Sequence, residues 1–169
     1  MVITGVVKVF SAGGNLKNVQ GDTYDAFVTR KRLKQIHQLL HLIRNVEKPI
    51  IASRSAFFIQ SFVKVGALPD FGALHFLTQI VGPHRAKQLM MLGDRISAEQ
   101  AFQLGMINEV VDDDELIDRA NSIANTLAEG PSLLIGLIKQ LVNRSTNVTL
   151  EDFLEIERAD KAYAFKQRM

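Results

Sequence analysis

The chain has 169 residues, the length of one ordinary domain, enough to bury roughly 70% of the surface its unfolded form exposes. Its 47% hydrophobic and 22% charged residues, with 11 Gly and 4 Pro, exclude disordered, collagen-like and low-complexity chains; the absence of cysteine removes disulfide scaffolds, thiolate metal sites and thiol nucleophiles. A net charge of +2 gives no support to nucleic-acid binding, and no apolar run approaches the ~20 residues of a membrane-spanning helix.

Residues 2–4 (Val-Ile-Thr) read as a short buried strand. Lys8 lies inside this first apolar stretch with no basic lead-in, which argues against a secretory signal, and a cysteine-free chain is compatible with the cytoplasm, the expected compartment. Ser11-Ala12-Gly13-Gly14-Asn15 follows, a small-residue turn whose adjacent glycines allow positive φ and close approach by another molecule. A helix is predicted over 26–45, with Leu33, Ile36, Leu39, Leu40 and Ile43 on its apolar face. Arg30, Lys31, Arg32 and Lys34 form a basic cluster in its first turns, suited to a solvated face or to a phosphate-bearing ligand. Beyond Lys48-Pro49, strands are predicted at 50–52 and 56–59, then an irregular connector over 63–68 that ends in Pro69-Asp70.

Helices dominate from there. Two short ones are predicted at 71–80 and, after Gly82-Pro83, at 84–92. Ser97 and Gln100 form a capping-box pattern for a helix over 98–104, which Gly105 stops. Asp112, Asp113 and Asp114 are placed to cap the next helix, whose stripe is Leu116, Ala120, Ile123, Ala124 and Leu127. Gly130-Pro131 breaks it, and a further helix carries Leu133, Leu134, Leu137, Ile138, Leu141 and Val142. Thr149 caps a last helix bearing Phe153, Ile156, Ala159 and Tyr163. The whole is an α/β chain whose second half is helical.

Side chains with metal-binding or acid/base chemistry are scattered. His37 and His41 are four apart on a predicted helix but lack a third ligand; His75 and His84 sit singly among apolar residues, as hydrogen-bonded structural histidines do. The aspartate run lacks the alternation of a calcium loop.

The Gly-rich turn matches neither the dinucleotide nor the P-loop fingerprint, yet it exposes backbone N–H groups of the kind that stabilise an oxyanion. It does not stand alone. Together with Val2-Ile3-Thr4-Gly5, Phe10 to Lys17, Lys48-Pro49-Ile50-Ile51-Ala52, Val65-Gly66-Ala67-Leu68-Pro69-Asp70, Val81-Gly82-Pro83, Leu92-Gly93-Asp94-Arg95-Ile96-Ser97-Ala98-Glu99 and Leu137-Ile138-Lys139, it resembles the crotonase superfamily of enoyl-CoA hydratases and isomerases. The resemblance implies a crotonase-like ββα spiral followed by a C-terminal helical region, here with segments missing. Residues 1–92 would be a partial spiral core and 93–169 a helical, trimerisation-type region. It further implies homotrimers or hexamers and an acyl-CoA thioester as substrate. Coenzyme A then arrives as part of the substrate, with no other cofactor, no metal, no nucleic acid and no membrane partner. One oxyanion donor is placed at Gly14, with Ala12 and Lys17 beside the adenosine and phosphate part of coenzyme A.

Departures from the family's pattern narrow the chemistry. Of the two glutamates by which relatives hydrate a double bond, one lies in a segment absent here and the other corresponds to Phe62, which transfers no proton. Asp70 occupies the position where several isomerases, including ring isomerases of the phenylacetyl-CoA pathway, carry an acid/base carboxylate. An Asp before an expected helix is also an ordinary cap, so both roles stand for it. Phe62, Leu68 and Phe71 are expected to desolvate it. The second oxyanion donor of relatives lies in the absent Gly-rich segment, so a break in the chain is expected near Ala52–Ser53, with a smaller one between Asn18 and Asp25. The reason is geometric: strands at 50–52 and 56–59 cannot lie parallel in one sheet without a crossover of a dozen or more residues. A continuous backbone there would favour a non-catalytic member of the family.

Overall fold

The computed structural model describes residues 1–5, 9–13, 34 and 49–166. Basic residues 30–32, His37, His41, most of the predicted 26–45 helix and the 18–25 stretch lie outside them. Residues 2–4 form no strand: with no sheet partner among the described residues Val2 and Ile3 stay exposed. Gly5 is required where it stands, since a side chain there would run into the backbone of Val9 and Phe10.

Four strands are described, β1 (Ile51–Ser53), β2 (Phe57–Ile59), β3 (Arg95–Ser97) and β4 (Glu109–Val111), with helices α1 (Ala73–Leu92), α2 (Ala98–Gln103), α3 (Leu116–Glu129), α4 (Ser132–Ser145) and α5 (Leu150–Lys166). They form two separate two-stranded sheets. β1 runs parallel to β4 with Ile51, Ala52 and Ser53 opposite Glu109, Val110 and Val111; β2 runs antiparallel to β3 with Phe58 opposite Ile96. Each sheet therefore joins a strand before position 92 to one after it, so the expected helical second half also contributes short strands at 95–97 and 109–111.

The expected break near Ala52–Ser53 is corrected too. β1 passes through both residues in register, and a turn closed by the Ala56 N–H on the Ser53 carbonyl at 2.9 Å delivers the chain to β2. β1 and β2 belong to different sheets, so no parallel crossover is called for between them. Asn108 anchors the start of β1: its side-chain oxygen accepts the Ile50 N–H at 2.7 Å while its own N–H donates to the Ile50 carbonyl at 2.7 Å.

Two apolar clusters lie on this frame. One is built of Ala52, Ala98, Ala101 and Ile107, the other of Leu77, Ala86, Leu89 and Met90, and half-buried Ile96 and Met106 touch both. α1 is two helices in sequence, because Gly82 at φ 75° and ψ 163° leaves the helical region just before Pro83. The connector at 61–65 is a 3-10 helix ended by Gly66 in the left-handed region. The capping box at Ser97 is formed in both directions, Gln100 N–H to Ser97 Oγ at 3.2 Å and Ser97 N–H to Gln100 Oε1 at 2.9 Å. Thr149 likewise accepts the Asp152 N–H at 3.2 Å.

Candidate active site

Asp70 follows the 3-10 segment and opens a tight turn into α1. Its carbonyl accepts the Ala73 N–H at 2.9 Å, and the two residues between, Phe71 and Gly72, both have positive φ, 51° and 69°. This is the type I′ pattern. The helix N-cap is Gly72, whose carbonyl accepts the N–H groups of His75 and Phe76; the Asp70 side chain caps nothing. Its residue is half-buried, and no described residue hydrogen-bonds its carboxylate. Phe62, where the resemblance puts a hydratase glutamate, is half-buried within the 3-10 helix. Leu68 and Phe71 are 77% and 43% exposed, so they do not supply the expected desolvating surround within this chain.

Of the Gly-rich turn, residues 11–13 are described. Gly13 has φ 86°, as adjacent small residues allow, and its N–H donates to Ser11 Oγ at 3.2 Å. Ala12 is exposed. Gly14 and Lys17 lie outside the described residues. No hydrogen bond or ion pair among the described residues links the 11–13 turn to Asp70.

The charged side chains that do converge lie elsewhere. Arg54, in the turn after β1, bonds Asp112 Oδ1 at 2.9 Å and Glu99 Oε1 at 3.3 Å, and the Ser55 N–H donates to Asp113 Oδ1 at 3.1 Å. The expected capping by this aspartate run is thus corrected: α3 has Glu115 as N-cap with no side-chain bond, and Asp112 and Asp113 hold the β1–β2 turn instead. The Ser55 hydrogen bonds draw the Asp113 carboxyl below its ordinary value, and the bond to Asp112 raises Arg54 further. Glu109 at the start of β4 is lowered by its bond from Arg119, 2.8 Å to the nearer oxygen. Exposed His75 shares a 3.1 Å hydrogen bond with Gln79, and His84 is exposed at the kink of α1 rather than enclosed by apolar neighbours. No group of three potential metal ligands occurs among the described residues, and no described helix is long and apolar enough to cross a membrane.

The chain belongs to the enoyl-CoA hydratase/isomerase family, whose model matches residues 50–168. It is 45% identical over 109 residues to a 1,2-epoxyphenylacetyl-CoA isomerase of Escherichia coli, a match covering 64% of this chain and 42% of that protein. It is 27% identical over 180 aligned positions to a probable mitochondrial enoyl-CoA hydratase of Dictyostelium discoideum, covering 94% of this chain and 64% of that one. The fold is the crotonase fold: a crystal structure of an enoyl-CoA hydratase subunit from Geobacillus kaustophilus superposes with a TM-score of 0.88 at 26% identity, over 97% of this chain and 71% of the other. This chain therefore spans less than two thirds of either curated relative, 42% and 64% of their lengths. An alignment of 180 positions is longer than the 169 residues available, so relative to the Dictyostelium protein this chain lacks internal residues. The family match begins at Ile50.

Proposed function

We propose that this chain is an acyl-CoA isomerase that moves a double bond through an enolate, with Asp70 as its single acid/base. The supporting observation is Asp70 itself, a half-buried residue at the head of a hydrogen-bonded turn, next to a segment that carries Phe62 in place of a proton-transferring side chain. One carboxylate suffices for this chemistry. It removes the proton beside the thioester carbonyl, and the electron pair moves onto the thioester oxygen. The same carboxyl group then returns the proton two carbons further along. The oxyanion needs a preorganised donor, a contribution of about 3–4 kcal/mol, which we assign to the Gly14 N–H. Ala12 and Lys17 are assigned to the adenosine and phosphate part of coenzyme A, which enters as part of the substrate with no other cofactor. The enzyme is proposed to act in the cytoplasm as a homotrimer or hexamer.

A second reading is favoured by the unbroken β1 strand and by the internal residues missing relative to the Dictyostelium protein. Without the segment that carries the second oxyanion donor in relatives, the chain would bind acyl-CoA and not transform it. Turnover of 3-enoyl-CoA and aromatic acyl-CoA thioesters separates the two. In the first reading Asp70→Asn lowers turnover at least ~100-fold with little change in affinity for the thioester. Wild-type-like turnover in that variant removes Asp70 from catalysis, and wild-type binding without turnover establishes the second reading.

A further inference from the structure

Phe71 is the one non-glycine residue with positive φ among the described residues, at 51°. A left-handed backbone is unfavourable for a bulky L-residue, because Cβ crowds the following carbonyl. Type I′ turns place Asn, Asp or Gly at this position for that reason. Gly72, at φ 69° and ψ 12°, meets the demand in the ordinary way, and Phe71 does not. Nor does the ring compensate by burial. It is 43% exposed and belongs to neither apolar cluster, and Leu68, three residues before it, is 77% exposed. The turn would form more readily with Asn, and neither apolar cluster would lose a member.

We propose that Phe71 is a specificity-determining residue whose ring, with Leu68, forms an apolar lip beside Asp70 that contacts the hydrocarbon part of the acyl group. The strained backbone then holds the ring where a flexible side chain on an ordinary helix start would not be. An apolar acyl chain laid on these two side chains would remove them from water and shield the adjacent carboxylate. This inference rests on acyl-CoA being the ligand, as proposed above, but not on its turnover.

Binding is therefore the readout, with saturated octanoyl-CoA and acetyl-CoA as probes, since neither has a double bond to move. Wild type should bind octanoyl-CoA more tightly, and Phe71→Asn should reduce that preference roughly 10-fold while leaving acetyl-CoA affinity unchanged. Thermal melting of Phe71→Asn should be unchanged or higher, because Asn tolerates the left-handed backbone. Phe71→Leu, which keeps an apolar side chain, should retain part of the preference. An unchanged preference in Phe71→Asn, or a wild type that does not distinguish the two thioesters, overturns the proposal. A marked drop in melting temperature overturns it as well, by showing that the ring supports the fold. A wild type that shows the chain-length preference but no isomerase turnover would instead count against the acid/base role of Asp70 and leave this binding proposal standing.

Discussion

The segment around β2, β3 and α2 and the helices α3 to α5 are both rich in apolar residues, yet they hide them very differently. In the first, Ala98 and Ala101 are completely buried, at 0% exposure, because small side chains let the helix lie close against strands from both sides of the chain. In the second, α3 and α4 contain no fully buried residue, and Ile138 and Val142 are 60% and 62% exposed on the stripe expected to be covered. An amphipathic stripe states that a helix needs a partner, not that the partner lies in the same chain. The expected single apolar face of α4 is in fact divided, with Leu134, Leu137 and Leu141 half-buried and Ile138 and Val142 open to solvent.

A matched pair of truncations probes this contrast most strongly. Leu77→Ala, at a site 6% exposed in the second apolar cluster, should destabilise by about 3 kcal/mol through lost transfer energy and a residual cavity. Leu137→Ala in half-buried α4 should remove no more than about 1 kcal/mol in a monomer. Denaturant unfolding measures both, and equal losses would erase the distinction between the two regions. Next in size is an effect on assembly. Ile138→Lys should leave the intrinsic stability of the monomer nearly unchanged while light scattering shows dissociation of the proposed trimer or hexamer. A monodisperse wild-type monomer at micromolar concentration would remove that assembly altogether.

The smallest effect expected is one of pH, because the groups concerned are at least partly exposed and solvent-screened. Glu109 is held below its ordinary carboxyl value of 4.5 by the Arg119 hydrogen bond. A carboxyl group lowered by folding contributes stability that is fully present above its unfolded value. That contribution is lost as pH falls from 4.5 through the lower folded value, so melting should weaken only on the acid side. Arg119→Gln should reduce this acid sensitivity; an unchanged profile would show that the ion pair contributes nothing.

Residues close together in sequence made the local devices legible: the Ser97–Gln100 box, the Gly82-Pro83 interruption, the stop at Gly105 and the Thr149 cap each depend on atoms a few positions apart. Asp70, the proposed acid/base, was singled out because it stands in a recognisable run of residue types. Three-residue strands were not. β3 and β4 are too short for a period to show, and each exists through a partner far away in the chain, as with the Ser53 and Val111 pair. The same limit governed the aspartates: a cap and a bond to Arg54 are equally open to Asp112 locally, and the approach of residues 58 positions apart chose the latter. Phe71 shows it most sharply. Its residue type suits the start of a helix, and only the path of the chain from the 3-10 segment into α1 imposes the left-handed backbone at Phe71. Composition and local spacing determined which residues this protein can use, while the pairing of distant segments decided where their backbones and charges meet.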